Sequence, residues 1–332
     1  LHGFAGWGNK MAFEMAGIGA DTPDPSGGQL VRDAGGRPSG VLLNRAILLL
    51  EDHIPTPTVE ETMGHVLAGL EVMAASGYTS IHEAGSNRRY QEAFERLEEE
   101  DGLPLRVYSM LAARDPDLCE EWLAKGPDTD VESMLRTKSV KAFYDAALGS
   151  RGARMLDDYS DLPGHRGTSG ADYGFDQELV ARMISAGFQA EIHAIGDGGN
   201  RDVLDFYERT FAEHPEAKQL RHRVAHAQVV HPDDFHRFGE LGLVASMQPG
   251  HAVEDSPWAE ERVGPERILG GYAWRSLRRG GAGLIFNSDL SGTDYDIFYG
   301  LHCAVTRTDR NGEPEGGWYP EQAVSMEEAI RA

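Results

Sequence analysis

From Thr58 to the C-terminus, short apolar runs of strand length alternate with stretches of helical periodicity, and this rhythm constrains the fold more than any other feature of the chain. Thr58 and Glu61 form a capping-box signature, and Val59, Met63, Val66, Leu67, Leu70 and Met73 follow at helical spacing until Gly77. Strands are then expected at about 78–84, 104–111, 139–145, 188–194, 222–228, 243–248 and 283–289, with helical segments between them. Such alternation predicts βα units on a parallel sheet. A closed (β/α)8 barrel has eight strands. Seven are visible, so residues 58–332 read as an α/β fold of the TIM-barrel type, incomplete at its N-terminal strand. A doubly wound open sheet is the rival, but its Gly-rich first turn is absent. The string GDGGN at 196–200 lacks both the P-loop Lys-Ser/Thr and the Rossmann spacing.

Residues 1–57 are different. DTPDPSGG at 21–28 and AGGRPSG at 34–40 are turn chemistry, and the segment is expected to be an irregular, loop-rich subdomain beside the barrel mouth. The chain opens on Leu1 and stops inside the helix-like SMEEAIRA, so both ends read as cut.

Charge narrows the partners. Among 332 residues, 54 Asp and Glu face 31 Lys and Arg, a net charge of −23. That balance argues against nucleic acid and against anionic lipid surfaces. No apolar run approaches the ~18 residues of a membrane span. A cytoplasmic location is expected, and homo-oligomerisation is left open. Cys119 and Cys303 are too few for a disulfide scaffold or a thiolate zinc cluster.

In a barrel of this type, chemistry sits where strands end. Polar residues fall late in otherwise apolar runs: His82 and Glu83, Lys141 and Asp145, His193, His226, Gln248 and His251, and Asp289. Core strands have no use for charge at that rate, because unpaired buried charge is costly. Two imidazoles and a carboxylate, from His193, His226 and Asp289, suit a borderline divalent ion such as zinc. Lys141 inside an apolar strand could pair with a carboxylate, lose its charge, or be carbamylated and become an anionic ligand. Each residue alone has a plainer explanation, such as a rim histidine, a helix cap or a buried ion pair. Their occurrence on successive strands favours a shared site.

These residues lie in strings that resemble the amidohydrolase superfamily, in particular its family 3 branch. The strings are VKAFYDAALGSRGARMLDDYSD at 140–161, EIHAIGDGGNRDVLDFYE at 191–208, RHRVAHAQVVHPDDFHRFGELGLVASMQPGHA at 221–252 and GPERILGGYAWRSL at 264–277, with HGFAGWGNKMAFEMAGI at 2–18 and GGWYPEQAVSMEEAIRA at 316–332 at the two ends. The resemblance implies a metal-dependent hydrolase on a distorted (β/α)8 barrel, with a small β-sandwich built from both chain ends. It implies one or two divalent ions, zinc first, held by Lys141 (carbamylated), His193, His226 and Asp289. The family's first-strand His-x-His and its terminal β-sandwich segments have no counterpart here. Three further departures surround the site: Ala225 stands where the family usually has Glu, Gly198 where it has Arg, and the last strand continues as NSDLSGTDYD.

The expected function is hydrolysis of a non-peptide amide C–N bond in a small molecule by metal-activated water. Asp289 is then the catalytic proton carrier, and His82, Gln248, His251 and Trp7 are candidate substrate contacts. The alternatives are a catalytically incomplete barrel fragment or non-enzyme, and a glycosidase using paired carboxylates.

Overall fold

The computed structural model describes residues 4–332, so His2 and Gly3 of the N-terminal string lie outside the described residues. Two sheets organise the chain. The small one joins β1 (Ala5–Trp7), β2 (Gly28–Arg32) and β3 (Pro38–Asn44) in the antiparallel order β1-β3-β2. The large one is parallel and runs in strict chain order: β4 (Ser80–Ser86), β5 (Arg106–Ala112), β6 (Leu135–Phe143), β7 (Gln189–Ala194), β8 (Arg223–His226), β9 (Val244–Met247) and β10 (Gly283–Phe286). Among the described residues β4 pairs only with β5 and β10 only with β9, so the sheet stays open.

The irregular N-terminal subdomain expected from Gly and Pro content is corrected here to a folded antiparallel sheet. The turn residues punctuate a hairpin rather than abolish one. Asp33 Oδ1 accepts from the backbone N–H groups of Gly35 and Arg37, closing the β2–β3 turn. Phe13, Leu30, Leu42 and Ala46 form a small buried core beneath it. Strands this short, bounded by Gly and Pro, carry too few residues to display an alternating pattern.

The large sheet is curled. His82 of β4 and Arg223 of β8 are four strands apart, which in a flat sheet would be about 19 Å. Yet Arg223 Nη1 lies 2.9 Å from His82 Nδ1. Only a sheet bent towards a barrel brings these side chains together. Helices follow each strand and start where side chains cap them: Asn87, Asp115 and Asp176 each accept a backbone N–H of the first turn, and Thr58 completes its capping box with Glu61. The helices bury one face against the outside of the sheet in a continuous core that includes Trp122, Met183, Phe188, Phe206, Tyr207, Phe238 and Trp274. No helix among the described residues is long and apolar enough to cross a membrane.

Candidate metal centre at the C-terminal end of the sheet

Side chains alternate along a strand, so Gln189, Glu191 and His193 of β7 share one face, as do Ser139, Lys141 and Phe143 of β6. Register sets Phe143 beside His193. At the next strand, His226 and Ala227 both adopt positive φ, 72° and 41°. Two successive non-glycine residues in this region are strained by about 1–3 kcal/mol each. That turn brings the His226 ring to 4.4 Å from the His193 ring, edge to face.

His226 is held from behind. Gln248 donates its amide hydrogens to the Ser246 carbonyl and to Asn287 Oδ1, so its oxygen faces His226 Nδ1 at 2.8 Å as an acceptor. Nδ1 therefore carries the proton, and the Nε2 lone pair is left for the site. His251, on the helix Pro249–Asp255, lies nearly parallel to His226 with ring centres 6.0 Å apart. Asp289 follows β10 at a φ of 48°. One ligand atom each from His226, His251 and Asp289 falls within 4.8 Å of the others.

His193 is fully enclosed, and its Nε2 has no hydrogen-bond partner. Burial, then the neighbouring His226 and Lys141, hold its pKa well below the usual imidazole range. Burial lowers His226 too, while Asp289 pulls the other way. Both rings are therefore neutral, with lone pairs available.

Lys141 forms a buried ion pair, Nζ to Glu191 Oε1 at 3.4 Å, the first of the three arrangements considered for it. The other Glu191 oxygen meets Arg223 Nη1 at 3.2 Å. Burial alone would raise the Glu191 pKa, but Lys141 and Arg223 outweigh it and keep the carboxylate ionised. One carboxylate thus faces two cations.

Asp145 has a different task. It is completely buried and accepts from three backbone N–H groups, those of Ile195, Gly196 and Arg154, at 2.9–3.0 Å. Oδ1 also lies 3.5 Å from His193 Nε2. The carboxylate ties the turn after β7 to the loop after β6, and Gly196 must be glycine there because a Cβ would stand 2.0 Å from the Arg154 carbonyl. The string GDGGN is thus a packing device. Asp145 is already engaged by these donors.

The remaining candidates separate. Gln248 sits behind His226 rather than facing open space. His82 lies on the exposed side of β4 against Arg223. Trp7 is 87% exposed on the small sheet. Phe4, immediately before β1, instead reaches the site, with its ring 5.3 Å from His193 and 5.9 Å from Tyr173. Glu191, Arg223 and Phe4 were not singled out from sequence. Glu191 was detectable, two residues before His193 on the same strand face. Phe4 gave no local signal.

Comparison with known proteins fits this geometry. The profile described as "Amidohydrolase family" matches residues 1–332. The chain is 28% identical over 346 aligned positions to Protein LONG AFTER FAR-RED 3 of Arabidopsis thaliana, covering 98% of this chain and 57% of that protein. It is 26% identical to N-substituted formamide deformylase of Arthrobacter pascens, covering 98% of this chain and 61% of that enzyme. The chain therefore spans about three-fifths of the length of these relatives. Its fold superposes on the crystal structure of an uncharacterized metal-dependent hydrolase from Pyrococcus horikoshii with a TM-score of 0.78 at 24% identity, over 98% of this chain and 63% of that one.

Proposed function

The chain belongs to the amidohydrolase family, and from that premise we propose that it forms most of the catalytic barrel of a metal-dependent hydrolase that cleaves a non-peptide C–N bond in a small molecule. The observation that carries this reading is the meeting of His226, His251 and Asp289 within 4.8 Å, beside His193 and Lys141, where three strand ends converge.

The donor set fits a borderline divalent ion, zinc first. Neutral, desolvated imidazoles and a carboxylate are ligands for such an ion. The buried His193 ring makes no hydrogen bond through Nε2, and Asp145 Oδ1 lies 3.5 Å from it. We assign His193, His226, His251 and Asp289 as candidate ligands. Lys141 is a candidate only in carbamylated form, since its ammonium would repel a neighbouring cation. Carbamylation would change the summed charge of Lys141, Glu191 and Arg223 from +1 to −1, an excess that a neighbouring cation would offset.

A bound divalent ion supplies Lewis-acid polarisation and brings the acidity of water near neutral pH. The chain's own residues supply the rest. Gln248 fixes the His226 tautomer. Phe4 and Phe143 pack against His193 and exclude water from that side. An Asp289 carboxylate oxygen takes the proton of the attacking water and returns it to the departing nitrogen, so that amide and water become acid and amine.

The test is metal analysis of the full-length protein together with turnover of N-formyl and N-acyl amines, before and after chelation. Turnover that follows metal content supports the reading. A protein that carries no metal and whose activity ignores chelators overturns it.

A further inference from the structure

Arg114 stands two residues past β5, in the turn that follows it, and is exposed. Its guanidinium carbon lies 4.5 Å from the Phe143 ring centre and 4.8 Å from the Tyr173 ring centre. The same Phe143 ring is 5.2 Å from His193. One aromatic ring therefore separates the guanidinium from the candidate metal centre. Tyr173 in turn touches Phe4, so Arg114 belongs to the aromatic wall that borders His193.

The guanidinium lies over two aromatic rings, a cation–π arrangement that holds it at the wall. Apart from a hydrogen bond to Tyr173, its in-plane N–H groups are left for a partner. The chain's acidic residues do not provide one. Arg223, Arg151 and Arg262 each meet a carboxylate, whereas among the described residues Arg114 has no ion pair. Arg114 is thus exposed, set over two aromatic rings and without an ion pair among the described residues, beside the site.

We propose that Arg114 is a specificity determinant of this site: it binds a carboxylate on the substrate, at the end remote from the scissile amide, as a planar two-point contact. The aromatic wall of Phe4, Phe143 and Tyr173 would then pack against the apolar portion between the two ends. The proposal rests on the hydrolase reading for the word substrate, but its geometry concerns binding.

The experiment therefore measures equilibrium binding rather than turnover. Two probes share one skeleton, 4-formamidobenzoate and formanilide, and differ in the carboxylate. Calorimetric titration of the full-length protein should show 4-formamidobenzoate binding at least about tenfold tighter, as a charge-assisted bidentate contact predicts. In Arg114→Met that ratio should fall to within about threefold, and Arg114→Lys should lie between, because lysine keeps the charge and loses the fork. Thermal melts identify any variant that has simply unfolded, and the lysine variant then carries the comparison. A wild-type ratio near one, or a ratio unchanged in Arg114→Met, overturns the proposal. Failure of the hydrolase reading is separate: neither probe would be hydrolysed, while the binding preference would persist.

Discussion

Asp145→Ala should be among the most damaging single changes in this chain. The carboxylate is the acceptor for three buried backbone N–H groups, at Ile195, Gly196 and Arg154. An orphaned buried donor costs about 1–3 kcal/mol, so losing three acceptors costs of order 5 kcal/mol, comparable with the whole stability of a typical domain. Asp145→Asn should be far milder. Its oxygen can take the place of Oδ2 and keep the Arg154 and Gly196 bonds, leaving only the Ile195 donor unmet at about 1–3 kcal/mol. Burial pushes the Asp145 pKa up to about 7 against the pull of those N–H groups, so removing the charge also removes a burial cost. Urea unfolding of wild type and both variants, followed by tryptophan fluorescence, gives the differences. The order wild type, Asn, Ala is expected, with Ala barely folded, and metal content should fall in the same order because His193 shares the anchored turn. An Ala variant within about 1 kcal/mol of wild type, or an Asn variant worse than Ala, would refute the assignment of Asp145 as a triple acceptor.

Three further outcomes follow. Gln248→Leu should lower metal affinity roughly 10–100-fold by releasing the His226 tautomer, while His226→Ala should abolish metal retention; competition with a chromogenic chelator reads both. Glu191→Gln leaves Lys141 and Arg223 without their shared anion and should destabilise by about 3–5 kcal/mol, measurable as a lowered unfolding midpoint. Asp255 is pushed up to about 7 by burial, although Tyr272 and Gln228 hydrogen-bond it. A carboxyl raised above its unfolded value of about 3.9 contributes stability that is complete at low pH and lost as pH rises from about 4 to 7, by at most about 4 kcal/mol. Asp255→Asn should therefore gain on wild type between pH 5 and pH 8 in paired unfolding curves, and identical pH slopes would remove Asp255 as the cause.

Much of the curled parallel sheet was readable because it rests on local periodicity. Helix spacing, caps and apolar runs announce themselves within ten residues, and the polar interruptions at Lys141, His193 and His226 stand out against apolar neighbours. What stayed hidden depends on residues far apart in the chain. The pairing of Lys141 with Glu191 is set by register between strands fifty residues apart. The contact between Phe4 and His193 depends on how the small sheet docks, for which no local pattern exists. The hairpin in residues 28–44 was obscured because glycine and proline mark tight turns and open loops alike. His251 and Gln248 illustrate a finer limit: both are polar and near one strand end, and only the fold shows one joining His226 and Asp289 while the other stands behind His226.

The placement of Phe4 against His193 joins the segment that leads into the small antiparallel sheet to the candidate metal centre. Exchange of the first fifty residues between related chains would then redraw one side of that centre while leaving its candidate ligands untouched. On the proposed function, selectivity and chemistry would rest on separable stretches of this polypeptide, and the former would be free to diversify without endangering the latter.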